Sequence, residues 1–155
     1  YKMLCLTSWV VQTYPNLVSE YNQETNALVK STDKVDLIYL SVATHDIGKT
    51  LEMKFGVYQP NSFVGHTFFG AEKIVQLKDK IVELYGESWY YEFISVILQH
   101  HGEFETPCRT VMAYVVHNID MIESMLTGLA QKMETGSTFD STGVKVYWDN
   151  KYLSF

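Results

Sequence analysis

Basic charge is scarce in this sequence. Arg109 is the only arginine, and 18 acidic residues against 12 basic ones leave a net charge of −6. Proteins that bind duplex nucleic acid normally present a basic stripe, so the composition argues against that class. A nucleotide or a single strand stays open as a substrate, because metal ions bound in a site would be its largest positive charges. The other basic residues are all lysine, which suggests an AT-rich bacterial or phage genome.

Cysteine and long apolar runs are scarce as well. Cys5 and Cys108 lie far apart and form neither a CxxC pair nor a disulfide framework, so we predict reduced thiols. No apolar run approaches the roughly 18 residues of a membrane span, and no signal peptide is visible. We therefore expect a cytoplasmic protein with no membrane partner.

What the chain does have is enough apolar sequence for a core. Its 155 residues are 46% hydrophobic, which is ordinary for one soluble domain. Apolar residues recur at helical spacing from the start of the chain, so it opens at Tyr1 inside a predicted helix. We expect a single domain over residues 1–155 that is a piece of a longer protein.

The apolar pattern predicts mostly helix. A first helix should end near Tyr14–Pro15, because proline disfavours helix in the residue before it. Residues 16–34 are polar and predict a surface excursion, with a short helix around 27–29. Residues 35–47 are apolar nearly all round, and their length favours a buried helix over a strand, with Gly48 as the stop.

The second half continues the helical pattern. Residues 50–62 predict a loop, and helices are predicted over 65–80, over 88–101 with Gly102 as C-cap, and after Pro107 through Met133. In the tail, apolar residues alternate and Asp149–Asn150 could turn, which predicts a small hairpin. The predicted fold class is an all-α helical bundle with a small C-terminal β-hairpin.

Histidine is also rare, and its positions are the most informative feature of the chain. Four of the five histidines fall in three motifs, Thr44-His45-Asp46-Ile47-Gly48-Lys49, Gly65-His66-Thr67 and Gln99-His100-His101-Gly102. A fourth motif follows, His117-Asn118-Ile119-Asp120. Imidazole and carboxylate ligands suit Mn, Fe, Co, Ni or Zn, and two such ions form a clamp for in-line attack on a phosphate ester. The pattern therefore predicts a metal-dependent phosphohydrolase.

Each motif alone has an ordinary explanation. A lone helix histidine is more often a satisfied polar group than a metal ligand, and His66 alone would be a capping or surface residue. However, His45 and Asp46 close a strongly apolar helix, where unpartnered ionisable groups cost several kcal/mol. Asp120 lies mid-helix among apolar residues and needs a cation or a donor. It is hard to explain all four motifs together as polar residues that entered the core independently of one another.

Other candidates leave alternatives open. His117 could orient Asp120, touch the phosphate or fill a gap in the core. We expect the aromatic residues near the motifs to lie in the core or at the rim of the site more often than to form a platform that stacks on bases. Phe68 is kept as a candidate substrate contact. These aromatic residues are Tyr58, Phe63, Phe68 and Phe69. Four glutamates are expected to be solvated charges, namely Glu52, Glu72, Glu103 and Glu105.

The order HD…H…HH…D resembles the HD-domain metal-dependent phosphohydrolase superfamily. The resemblance rests on the strings His45-Asp46-Ile47-Gly48-Lys49-Thr50 and His100-His101-Gly102-Glu103. Within that superfamily the chain is most similar to the HD domain of YhaM-type 3′–5′ exoribonucleases, with a likeness that extends over 116–120 and 148–153. HD-GYP cyclic dinucleotide phosphodiesterases share the ligand order, but this sequence has no GYP signature.

The resemblance implies an all-α core with a metal site between helices. It implies that His45, Asp46 and Asp120 bind one divalent ion, and that Asp46 bridges to a second ion. That second ion would be held by His66, His100 and His101. Lys49 would contact the phosphate or substrate. The cofactors would be two ions of Mn, Fe, Co, Ni or Zn, with Mg also acceptable.

The chain departs from the family pattern in three respects. Family members carry a further ligand histidine ahead of the HD pair. By alignment it would lie immediately before Tyr1 in a longer parent chain, and its loss is the alternative. YhaM-type enzymes carry an N-terminal OB-fold domain, which is not present in this sequence. The polar excursion over residues 16–34 is also longer than the usual connection. RNA is therefore a less secure expectation than phosphoester hydrolysis.

The expected reaction is hydrolysis of a phosphoester by a metal-activated water, with Asp46, Lys49 and His117 as catalytic residues. His117 would move a proton to the leaving oxygen. The substrate is expected to be a nucleotide or single-stranded nucleic acid, and a homo-oligomer is left open. The alternatives are a small-molecule nucleotidase, a cyclic-nucleotide phosphodiesterase, or a degenerate HD domain that binds a nucleotide or protein without catalysis.

Overall fold

A computed structural model gives the fold and describes residues 1–135, 137–140, 143–148 and 151–154, with side chains up to residue 134. The described residues form seven α-helices, which confirms the predicted all-α class. Their bounds are Lys2–Thr13 (α1), Thr32–Thr44 (α2), Lys49–Glu52 (α3), His66–Val75 (α4), Lys78–Tyr85 (α5), Glu87–Gln99 (α6) and Val111–Thr135 (α7). Within these described residues, no helix is long and apolar enough to cross a membrane.

Short strands and 3₁₀ turns connect the helices. Strands β1 (Ser19–Asn22) and β2 (Ala27–Lys30) form one antiparallel hairpin, and β3 (Met53–Lys54) and β4 (Val57–Tyr58) form another. The 3₁₀ turns are Pro15–Val18, Ser62–Val64 and Gly102–Phe104.

The chain divides into two compact units, Tyr1–Asp120 and Met121–Phe155. The core of the first unit is built on α2 and α6, where Leu37, Ile38 and Ile97 are fully buried. Each such side chain contributes roughly 1.5–3 kcal/mol when it leaves water. The Trp89 indole N–H donates to the Asp33 carbonyl at 2.8 Å and ties the start of α6 to the start of α2. This packing holds the two helix ends from which most of the histidine motifs emerge.

Helix α2 lies three residues earlier than the apolar pattern predicts. It starts at Thr32 because Ser31 caps it, with the Ser31 hydroxyl accepting from the Lys34 amide at 3.3 Å. It ends at Thr44, so His45 and Asp46 lie in the turn that follows it. Gly48 has ordinary helical angles, and the space around it explains the glycine: a Cβ there would lie 1.8 Å from the His66 carbonyl oxygen. The glycine thus permits close packing of the turn on α4, and does not act as a helix C-cap.

The predicted helix over 65–80 is two helices. The buried face of α4 ends with Ile74, and the chain bends at Gln76 and Leu77, where the Leu77 amide donates back to Ile74. The bend redirects α5, so that its residues Ile81 and Val82 pack against the core. Local periodicity could not show this break, because both segments carry helix-forming residues.

Two loop predictions were wrong. The expected short helix around 27–29 is strand β2, because the Asn22 side chain accepts from the Glu24 and Thr25 amides and folds a turn that continues into Asn26 at φ +52°. Residues 50–62 were expected to be loop but contain most of α3 and the β3–β4 hairpin, with Phe55 and Gly56 at positive φ in its turn.

The second unit contains the end of α7 and three antiparallel strands. These are β5 (Ser137–Asp140), β6 (Gly143–Trp148) and β7 (Lys151–Ser154), in the order β5-β6-β7. The predicted C-terminal pair of strands is present, with Trp148 opposite Lys151, and β5 adds a strand that the sequence did not indicate. The predicted turn residues Asp149–Asn150 lie outside the described residues.

Candidate metal centre

Four elements of the first unit bring the histidine motifs together. His45 and Asp46 lie in the turn after α2, and His66 is the first residue of α4. His100 and His101 directly follow α6, and Asp120 lies on α7. Every ligand predicted from the sequence therefore sits at a helix end, except Asp120.

Four of these side chains form one compact set of donors. Asp46, His66, His100 and His101 each offer one ligand atom, and all four atoms lie within 4.8 Å of one another. Asp46 Oδ1 lies 3.2 Å from His66 Nε2 and 3.8 Å from His100 Nε2. We refer to these residues as the four-donor group. Its members come from three separate elements, yet their donor atoms converge on one point.

The histidines are oriented by acceptors outside the cluster. His45 Nδ1 lies 2.9 Å from the Val42 carbonyl oxygen, and His100 Nδ1 lies 2.9 Å from that of Ile97. The other two have carboxylate partners: His66 Nδ1 lies 3.2 Å from Glu52, and His101 Nδ1 lies 2.8 Å from Glu105. Each acceptor is placed to take a proton from Nδ1, and in the neutral ring that arrangement leaves the lone pair of Nε2 facing inward, as in metal-binding histidines.

Two buried atoms of the four-donor group lack a hydrogen-bond partner within the described part of the chain. They are Asp46 Oδ1 and His100 Nε2, which face each other. His66 Nε2 and His101 Nε2 also lie only 3.1 Å apart, with a lone pair on each when both protons are on Nδ1. Acceptors facing acceptors are unfavourable unless a cation lies between them. The residues present therefore fit a divalent metal ion.

The electrostatics of the site agree with this fit. Burial lowers the pKa of His100 to about 3, so its imidazole is neutral and available as a ligand. Burial raises the pKa of Asp46, but its contacts with His45, His66 and Lys49 outweigh that effect and hold the pKa well below its usual value. Asp46 is therefore an ionised carboxylate.

A second set of donors lies on the other side of Asp46. His45 Nε2 is 3.4 Å from Asp46 Oδ2 and 3.7 Å from Asp120 Oδ1. Burial by itself lowers the pKa of His45. The hydrogen bond and charge of Asp46, together with the charge of Asp120, outweigh burial and raise the pKa above its usual value. We refer to His45 and Asp120 as the His45–Asp120 side. Its carboxylates favour a positive charge there.

The remaining predicted residues occupy different positions. The Lys49 ammonium lies 2.7 Å from Asp46 Oδ2, and its side chain is half exposed. His117 Nδ1 donates to the His100 carbonyl at 2.7 Å, and its ring lies against Gly102, where a Cβ would be 2.8 Å from the ring. His117 therefore holds the turn that carries two ligands. Phe68 is exposed beside the buried Phe69.

Sequence reasoning missed two glutamates. Glu52 was expected to be solvated, but it is only 9% exposed and contacts His66. Glu105 is exposed, as expected, but it pairs with His101. Glu105 lies four residues after His101 but beyond the predicted helix end at Gly102, so helical spacing gave no signal for it. No local signal identified Glu52, because its partner lies in another element.

Comparison with known proteins gives the family of the chain. A search of curated proteins and a search of solved structures find no match. Residues 16–133 match the family model described as HD domain, a span that includes every predicted ligand. Members of this family are generally metal-dependent phosphohydrolases. With its fold, its convergent His/Asp donors and this match over most of its length, the chain belongs to the HD domain family.

Proposed function

We propose that this protein is a metal-dependent phosphodiesterase that acts on a nucleotide or a single-stranded nucleic acid, with a YhaM-type 3′–5′ exoribonuclease as the specific form. The observation that carries the proposal is the four-donor group, with unpartnered Asp46 Oδ1 and His100 Nε2 facing each other. A core histidine cluster with only a structural role would have these atoms hydrogen-bonded.

The chain would hold two divalent ions that share Asp46. The four-donor group would bind one, and His45, Asp46 and Asp120 would bind the other. When bound, such ions lower the pKa of a water molecule and offset the negative charge that develops on the phosphate oxygens. The native ions would come from Mn, Fe, Co, Ni, Zn or Mg, because this donor set suits several of them.

The chain's own residues would position the substrate. The Lys49 side chain is half exposed, and its ammonium lies beside Asp46, within reach of a phosphate placed next to that carboxylate. His117 would keep His100 and His101 in place through the His100 carbonyl. Its Nδ1 proton is used in that bond, so a role in proton transfer would fall to Nε2.

Exposed aromatic side chains around the ligands favour a substrate with nucleobases. Phe63 is 87% exposed and precedes His66 by three residues, and Phe104 is 80% exposed and follows His101 by three. Three residues span at most about 11 Å, so both rings start close to the cluster. Phe68 is exposed two residues after His66. Aromatic rings stack on bases regardless of sequence, which suits a single strand and supports Phe68 as a substrate contact.

The test is cleavage of 5′-labelled single-stranded RNA by the purified protein with Mn²⁺. We expect a ladder that shortens from the 3′ end, that EDTA abolishes, and that Asp46→Ala reduces to below about one percent. Asp79→Asn, an exposed acid at the start of α5, is the matched control and should cleave normally. Activity above that level in Asp46→Ala would exclude the bridging role of Asp46.

Parallel reactions separate the alternatives. Mononucleotides and a cyclic dinucleotide are incubated beside the RNA under the same conditions. Turnover of these alone would identify a nucleotidase or a cyclic-nucleotide phosphodiesterase. Metal binding without turnover of any substrate would favour a binding domain, an outcome consistent with the smaller number of donors on the His45–Asp120 side.

A further inference from the structure

Glu52 is a buried carboxylate outside the predicted ligand set. It is the last residue of α3, only 9% exposed, and its Oε2 lies 3.2 Å from His66 Nδ1. Acidic side chains are almost never buried without a partner, because leaving water costs several kcal/mol. Its partner here is an imidazole whose other nitrogen faces the four-donor group.

The backbone fixes Glu52 in this position. The Glu52 amide donates to the Gly48 carbonyl at 3.0 Å, and the Gln59 amide donates to the Glu52 carbonyl at 2.9 Å. Gly48 packs directly on the His66 carbonyl, where no Cβ would fit. The turn that presents Asp46 to the cluster is therefore the one that presents Glu52 to the outer side of His66.

The four histidines differ in their outer partners. His45 and His100 donate to neutral backbone carbonyls, and His101 faces the exposed Glu105. His66 instead lies between two carboxylates, with Asp46 Oδ1 3.2 Å from Nε2 and Glu52 Oε2 3.2 Å from Nδ1. Of these four, only His66 has an outer carboxylate partner that is itself shielded from water and so placed to fix the orientation of its ring.

We propose that Glu52 is a positioning residue that fixes His66 as a metal ligand, through a hydrogen bond from His66 Nδ1–H to its carboxylate. The inference rests on the proposed metal site and extends it to a residue that would not itself contact metal or substrate. The competing explanation is purely structural: His66 would carry both protons and bridge Asp46 and Glu52 to stabilise the fold. The two explanations differ in what happens to metal affinity when Glu52 changes.

The test is titration of the protein with Co²⁺ by calorimetry, using the wild type, Glu52→Gln and Glu52→Ala. Outer partners of ligand histidines typically change metal affinity by about 10–100-fold. We expect that range of loss for Glu52→Ala and a smaller loss for Glu52→Gln, because glutamine keeps an oxygen acceptor. Glu72→Gln, an exposed acid on α4, is the matched control and should bind Co²⁺ as the wild type does.

A second measurement keeps the inference testable if Glu52→Ala folds poorly. Nitrogen NMR of the imidazoles in Glu52→Gln and the wild type reports which His66 nitrogen carries the proton. We expect one tautomer, protonated on Nδ1, in the metal-loaded wild type. Thermal unfolding in EDTA gives the structural contribution of each variant separately.

The outcomes distinguish this inference from the proposed function. Co²⁺ affinity within about twofold of the wild type in folded Glu52→Ala, or a metal-loaded wild type in which His66 carries no proton on Nδ1, would overturn the role of Glu52 and leave the metal site standing. A loss of thermal stability alone would favour the structural explanation. A wild type that binds no Co²⁺ would overturn the metal site, and the inference with it.

Discussion

The two sides of Asp46 differ in how many donors the fold brings to them. The four-donor group draws on three elements and has two carboxylates, Glu52 and Glu105, supporting its histidines from outside. On the His45–Asp120 side, two of the described residues join Asp46, and the outer partner of His45 is the Val42 carbonyl. We therefore expect the first ion to bind in the four-donor group and the second to bind more weakly.

The two proposed sites would therefore be unequal even though they would share Asp46. Asp46 offers Oδ1 to the four-donor group, where it lacks a hydrogen-bond partner, and Oδ2 to the other side, where Lys49 contacts it at 2.7 Å. A cation on the Oδ2 side must compete with the Lys49 ammonium. A cation on the Oδ1 side would displace no hydrogen-bond donor from Asp46. It would also offset the repulsion between the facing Nε2 lone pairs of His66 and His101.

The largest effect is expected from removal of a donor on the four-donor side. His101→Gln should lower the affinity for the first Co²⁺ ion by about 100-fold or more, because the loss of a ligand exceeds the 10–100-fold effect of an outer partner. Calorimetric titration measures this loss. An unchanged first affinity would mean that the first ion binds elsewhere, and the comparison between the two sides would fail.

A change at Gly48 should destabilise the turn that carries Asp46, the residue common to both sides. In Gly48→Ala the new Cβ meets the His66 carbonyl and the Gly70 amide, and displacement of packed backbone typically costs about 1–3 kcal/mol. Urea unfolding in EDTA measures the fall in the free energy of unfolding. Ser88→Ala, at an exposed position on α6, is the control and should stay within about 0.5 kcal/mol of the wild type. Wild-type stability of Gly48→Ala would show that the turn can move away from α4.

The smallest effect on the first ion is expected from the other side. Asp120→Asn should leave the first Co²⁺ affinity within about threefold, since Asp120 is not in the four-donor group. It should weaken the second affinity by more than about tenfold, because Asp120 would be a direct ligand of that ion and even an outer partner changes affinity by about 10–100-fold. Mn²⁺-dependent hydrolysis should fall along with the second affinity. Equal loss of both affinities would show that the two sides act as a single unit.

Much of the fold and of the site was predictable from local patterns. The helix end at Tyr14–Pro15 and the long α7 follow from proline and apolar spacing, which act within a few residues. The candidate ligands were identifiable because an ionisable side chain at the end of an apolar helix needs a partner. The bend between Ile74 and Lys78 was not predictable, since packing against the core decides it.

The sequence by itself determined the chemical identity and order of the donors, and most of the helices near whose ends they lie. Only the tertiary structure decided which imidazole nitrogen faces inward and that Gly48 serves close packing of two backbones. It also decided that Glu52 is buried against His66. The physical reason is distance along the chain: Glu52 and His66 are 14 residues apart and lie in different elements. Their contact forms only when α3 and α4 pack against each other, and the local spacing of apolar residues does not predict which helices pack together.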